Sequence, residues 1–323
     1  MRKGLRMQRM LLIVAVAILF CPVCFSQSLF DAARSGSPKE IQAALGTGAS
    51  VSERNKDGLT PLMIAAASNT NIEAIKALLA AGAKVGDRSR EGWTPLLFAA
   101  AGNRNPDVIL VLLAAGAKAD DRSRDGVTPL IGAASRNANP ALIKVLLAAG
   151  ATVESRGRFD LTPLMWAVYK NSNVEVIKAL LDAGAKVDSR AADKSTPLLL
   201  AAAGNPNAEV IKLLFASGAK IDEQDQDGWT PLLLAASRNP SVAVIKSLLD
   251  AGAKVNDATG DGATPLIVAA QNNENPEVVS ALFAAGANPK LKDRFGRTAL
   301  DYAEGNRKLK DTDIYWTLNN AMY

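Results

Sequence analysis

The feature that most constrains this chain is a period. Thr-Pro-Leu recurs at Thr60, Thr94, Thr128, Thr162, Thr196, Thr230 and Thr264, always at the same interval, and Thr298-Ala299-Leu300 keeps the register once more. Glycine returns with the same period, at Gly48, Gly82, Gly116, Gly150, Gly184, Gly218, Gly252 and Gly286. A spacing held without drift means one supersecondary unit copied and stacked, in which each copy buries its apolar face on its neighbours. This overrides the expectation of about two globular domains that 323 residues would otherwise carry.

Each column of the repeat has its own chemistry. Thr-Pro opens a first helix, because Pro is tolerated in a first turn and Thr before it can cap. That helix is predicted to end at Asn69, Asn103, Asn137, Asn171, Asn205, Asn239 and Asn273, where a left-handed exit would favour Asn. Two positions on, Asn71, Asn105, Asn139, Asn173, Asn207, Ser241 and Asn275 read as N-caps of a second helix, with Pro106, Pro140 and Pro276 at the first helical position. Ile75, Leu78 and Leu79, repeated through Ile245, Leu248 and Leu249, make an apolar stripe, and the glycine column then supplies the helix stop. The organisation expected is an N-terminal capping unit over 27–57, seven internal repeats over 58–294 and a C-terminal cap over 295–323, nine units in all. The chain end, Asp311 to Tyr323, reads as a final helix with Trp316 and Leu318 facing inward.

D-G-x-T-P-L-x-x-A-A at Asp227 to Ala236 and E-V-I-K-x-L-L-x-A-G-A at Glu175 to Ala185 resemble ankyrin repeats. The resemblance runs over roughly 28–323. It departs from the family pattern in having Met63, Leu97, Ile131, Met165, Leu199, Leu233 and Ile267 where His is usual, and one additional residue in the Asn-x-Asn turn. It implies an all-α solenoid of helix pairs with finger hairpins, and protein partners bound on the concave side formed by finger tips and first helices.

The N-terminus reads as an address. Residues 1–10 are basic and polar, residues 11–20 are uninterrupted apolar, and Cys24-Phe25-Ser26 offers a small-any-small cleavage site, the layout of a secretory signal peptide over 1–26. An uncleaved anchor would need roughly 20 apolar residues, and the run is broken at Pro22. A lipid-modified Cys21 or Cys24 is the third alternative. The expected localisation is periplasmic or secreted, with the membrane touched only through the transient signal.

Charge and composition narrow the function class. The formal charge of +5 includes Arg2, Lys3, Arg6 and Arg9, so residues 27–323 carry 33 basic against 32 acidic side chains, a net of +1. No nucleic-acid partner is therefore expected. The chain has no histidine, and both cysteines, Cys21 and Cys24, lie within the segment 1–26, which removes the commonest general base, metal ligands and thiol nucleophile. The expectation is a monomeric, non-enzymatic scaffold without cofactor or metal; the alternative is a secreted effector engaging host proteins. Glu223-x-Asp225-x-Asp227-Gly228 imitates a calcium loop but carries Leu234 where a bidentate Glu is required. Gly46-Thr47-Gly48 lacks the Lys of a phosphate loop.

Candidate contacts lie in the variable columns. Between the finger Gly and Thr stand Leu59, Trp93, Val127, Leu161, Ser195, Trp229, Ala263 and Arg297; Trp93 and Trp229 are the leading anchors because Trp is enriched in interface hot spots, the other reading being that each packs on its neighbouring finger. Arg54, Arg88, Arg122, Arg156 and Arg190 form a ladder, paralleled by Arg90, Arg124 and Arg158, that could clamp acidic groups or sit as salt-bridged surface. Asp160 and Lys194 replace the hairpin Gly, so those fingers are expected to be reshaped. Phe159 and Phe295 at finger tips are expected to tuck against the next finger, and Trp166 to fill core space left by Gly132.

Overall fold

The computed structural model describes residues 28–323; the segment read as an export signal, with Cys21 and Cys24, lies outside them. Eighteen α-helices follow in nine pairs. The first helices of the pairs are α1 (Leu29–Ser35), α3 (Pro61–Ser68), α5 (Pro95–Gly102), α7 (Pro129–Arg136), α9 (Pro163–Lys170), α11 (Pro197–Gly204), α13 (Pro231–Arg238), α15 (Pro265–Asn272) and α17 (Ala299–Ala303). The second helices are α2 (Pro38–Gly46), α4 (Ile72–Ala80), α6 (Pro106–Ala114), α8 (Pro140–Ala148), α10 (Val174–Asp182), α12 (Ala208–Ala216), α14 (Val242–Asp250), α16 (Pro276–Ala284) and α18 (Asp313–Asn320). Among the described residues there is no strand, and none of the helices is long and apolar enough to cross a membrane.

The Thr column caps as expected: each hydroxyl accepts the N–H three positions on, at 3.2–3.4 Å. The alanine pairs behind it, such as Ala99-Ala100 and Ala235-Ala236, are wholly buried. Side chains that small let consecutive first helices pack more closely than consecutive second helices do, which turns the finger and first-helix side inward. On the second helices, Ile109 and Leu112 and their counterparts Ile211 and Leu214 are fully buried and join one core running the length of the stack. The glycine column takes the left-handed conformation at φ 86–96° that stops each second helix.

The asparagines at the first-helix exits depart from the sequence expectation. Their backbones are extended, φ −84° and ψ 116° at Asn69 and φ −120° and ψ 119° at Asn171. The side chain, not the backbone conformation, explains the residue type. In Asn103 the buried amide nitrogen donates to Ala66 O and Asn69 O, both at 2.9 Å, while Oδ1 accepts the N–H of Asn105 at 3.0 Å. Asn137, Asn171, Asn205, Asn239 and Asn273 repeat the pattern. Only a primary amide carries two donors and an acceptor in one short side chain. The second asparagine column caps the second helix through Oδ1 and also donates to the preceding repeat, as Asn105 does to Thr70 O at 2.8 Å.

The fingers are tight turns, closed in one case by Ser89 N–H to Trp93 O at 2.9 Å. The arginine ladder ties them together. Arg54 donates to Gly58 O in its own finger at 2.7 Å and to Arg88 O in the next at 2.9 Å. Arg88, Arg122, Arg156 and Arg190 reach forward in the same way. Asp160 and Lys194 hold left-handed backbones at φ 61° and 63°, with Phe159 at 59°, and Arg158–Asp160 forms a single 3-10 turn. In the last helix Leu318 is buried with Ile314, whereas Trp316 is 53% exposed. Residues two apart lie on different helix faces, so Trp316 and Leu318 cannot both point inward.

Candidate functional site

The variable column between finger and Thr lies along the inward-turned face. Trp93, Trp229, Leu59 and Val127 are half-buried there, with one side open to solvent. Leu161 is not among them: it is buried against Met165 and Ala191, because the reshaped finger of Phe159 and Asp160 leaves it under the turn. Phe159 and Phe295 are not tucked either, each remaining more than half exposed with a guanidinium over its ring, Arg158 and Arg294 respectively, at 4.7 Å.

The two rows of arginine differ in role. The ladder from Arg54 to Arg190 spends its donors on carbonyls and on Asp87, Asp121, Asp160 and Glu223, so it joins repeats. Arg90, Arg124 and Arg158 at the tips are exposed. Glu91 lies beside Arg90 and Arg124; its carboxyl is held below the usual range chiefly by the Ser89 hydroxyl, its own backbone N–H and the two guanidiniums adding to the effect.

Trp93 forms one wall of a cleft of about 300 Å³. Its ring meets Phe98 at 5.3 Å, tilted by 48°, and the Arg136 guanidinium lies 5.8 Å from its centroid. Across the cleft stands Trp166 of α9, with Val127, Ile131 and Gly132 between and Arg136 and Lys170 at the rim. Trp166 therefore does not fill the space left by Gly132, as the sequence suggested; the missing side chain leaves an opening that Trp166 lines while remaining half-buried. Its indole nitrogen is the one buried side-chain polar atom among the described residues without a hydrogen-bond partner.

Trp229 stands four repeats away between two broader hollows, of about 720 Å³ and 510 Å³. Its surroundings are acidic: Glu274 borders one hollow and Asp227, Asp261 and Asp293 the other, with Arg238 the basic residue beside it. Asp293 is occupied, accepting from the Tyr302 hydroxyl at 2.6 Å. Burial works to raise its carboxyl, but hydrogen bonds from Tyr302 and the Arg297 and Phe295 N–H groups outweigh it and hold the group below the usual range.

Sequence reasoning missed Arg136, Lys170 and the open side of Trp166. The signal was present in the last residue of the first helices, which reads Ser68, Gly102, Arg136, Lys170, Gly204, Arg238 and Asn272, a column as variable as the finger column and adjacent to it in space. No cluster of His, Cys, Asp and Glu suited to a metal ion occurs among the described residues. The face offers one apolar cleft, two mixed polar and apolar hollows, and charged rims, the materials of recognition.

Comparison with known proteins agrees with this architecture. A family model described as ankyrin repeats (3 copies) matches in overlapping registers over residues 29–123, 97–191, 164–259, 198–293 and 236–310. No curated protein matches the chain. Among 516 matching chains of solved structures, the human ASB11 ankyrin repeat domain is similar at 28% identity and a TM-score of 0.62, covering 71% of this chain and 98% of that one. Ankyrin repeats generally mediate protein–protein interaction. With matches running from residue 29 to residue 310, the chain belongs to the ankyrin-repeat family.

Proposed function

We propose that this protein is an exported, non-enzymatic scaffold that holds a protein partner on its inward face, working as a monomer in the periplasm or outside the cell. The observation that carries the reading is where variation is allowed. The frame of Thr, Pro, Asn and Gly hardly changes from repeat to repeat, whereas the finger column and the first-helix ends change at every step and include two half-open tryptophans beside hollows. A frame held constant around a variable, aromatic-bearing face is what selective binding requires. Export is supported by the basic, then apolar, then small-residue order of the segment 1–26.

The test is affinity capture with the chain expressed with its own N-terminus, against an envelope extract of the source cell and a eukaryotic lysate, alongside a Trp93→Ala, Trp229→Ala double variant. Each anchor is expected to contribute about 2 kcal/mol or more, so a genuine partner is lost with the variant. Retention of every captured protein would overturn the reading, and loss confined to proteins from the eukaryotic lysate would redirect it to a secreted effector. Mass spectrometry of the recovered chain tests export directly: the expected N-terminus is Gln27.

A further inference from the structure

We propose that the cleft between Trp93 and Trp166 seats one apolar side chain of an acidic peptide segment of the partner, with a flanking carboxylate held by Arg136 and Lys170. The inference rests on the scaffold reading and names what the scaffold holds at one position. The cleft begins with Gly132, which occupies a column that is Ile64, Phe98, Trp166 and Leu200 in neighbouring repeats. Glycine is a poor choice inside α7, and its absent side chain opens the space between the indoles. At about 300 Å³ the cleft stands at the bottom of the roughly 300–1,000 Å³ typical of small-molecule sites, the size of a side chain and its backbone.

Charge selects the occupant. No Asp or Glu lines the cleft, and Arg136 and Lys170, both exposed, have no carboxylate partner among the described residues; each lies instead near an aromatic ring, Trp93 and Tyr169 respectively. On the second helices Lys76, Lys178 and Lys212 are each paired with an acid of their own helix, while Lys39, Lys144 and Lys246 have no ion pair among the described residues. The finger tips nearby add Arg90 and Arg124, and their acids are Glu91, bonded to Ser89, and Asp125. Two unneutralised cations over an apolar slot fit a carboxylate beside a hydrophobic side chain.

The test is titration of the purified full chain, followed by tryptophan fluorescence, with end-blocked octapeptides bearing one central leucine flanked by aspartates. Comparison peptides replace every aspartate by lysine or the leucine by alanine, and N-acetylleucine serves as a free small anion. The expected result is at least tenfold tighter binding of the leucine–aspartate peptide than of any of the three. Gly132→Leu should block the slot, and Arg136→Glu with Lys170→Glu should reverse the preference toward the lysine peptide. The exposed pair keeps the proposal testable if the leucine variant folds poorly by circular dichroism. Equal binding of the lysine peptide, indifference to both variants, or N-acetylleucine binding as tightly as the peptide would each overturn it. Absence of peptide binding, while the Trp93→Ala, Trp229→Ala variant still loses a captured partner, overturns the occupant and leaves the scaffold reading standing; if that variant retains the partner, the scaffold reading falls.

Discussion

At the scale of the residue, the same side chain can be predicted for the wrong reason. The asparagine column was legible as a helix exit, but the left-handed backbone expected there is absent, because what the position needs is one acceptor for its own turn and two donors reaching into the preceding repeat. That partner is 34–37 residues away, which no local reading supplies. Asn103→Ala leaves two carbonyls and one N–H without partners in a buried site, an expected cost of about 2–3 kcal/mol measurable by urea denaturation. Asn103→Asp should cost more, since a carboxylate would face the Ala66 and Asn69 carbonyls. Gly132 runs the other way. A Cβ there would meet Ala101 Cβ at 3.5 Å, an ordinary contact, so Gly132→Ala should stabilise the fold by about 1 kcal/mol while narrowing the cleft. A rise in melting temperature together with weaker partner capture is the expected pair of results.

At the scale of the element, the helices followed from capping and periodicity, and the fingers did not. Gly at the turn was readable as a left-handed position, and the departures at Asp160 and Lys194 were readable as departures; the burial of Leu161 and the exposure of Phe159 depend on how the altered turn lies across its neighbour. Lys194→Gly removes the strain of a left-handed lysine and should stabilise by about 0.5–1 kcal/mol after the added freedom of the unfolded chain is counted, checked by thermal melting. Depressed carboxyls occur singly at Glu40 in the first unit and Glu91 in an internal finger, and as a pair in the C-terminal cap. Asp293 and Asp301 both have carboxyls held below their usual value, Asp301 chiefly by the N–H and hydroxyl of Thr298. A carboxyl depressed in the folded state stabilises fully above its unfolded value of about 3.8 and loses that contribution as pH falls through the folded value. Acidification below that point should loosen α17 and its finger, seen as loss of amide protection in 295–306.

At the scale of the whole molecule, the repeat made the architecture legible and left the shape of the inward face unread, because period describes what is common and the hollows are built from what differs. Nearest-neighbour stacking predicts that deleting one internal repeat, such as 92–125, lowers stability without abolishing the fold, checked by a urea transition that stays cooperative at a lower midpoint. The two ladders are not coextensive. The arginines stop at Arg190, whose forward contact is Gln224 O, while the asparagine ladder continues to Asn306, which donates to Ala270 O and Asn273 O. Repeats beyond Gln224 thus keep the asparagine contacts, including those of the second column at Ser241 and Asn275, but lack the arginine ladder, and hydrogen exchange should be faster in the fingers there than between Arg54 and Arg190. The amide donations of the asparagine ladder all point backward along the chain, so the carbonyls at the end of a repeat's first helix wait for the following repeat to be made. A chain emerging N-terminus first, from a ribosome or through a membrane pore, completes each unit only as its successor arrives, and the growing stack has its single unfinished edge at the point of emergence.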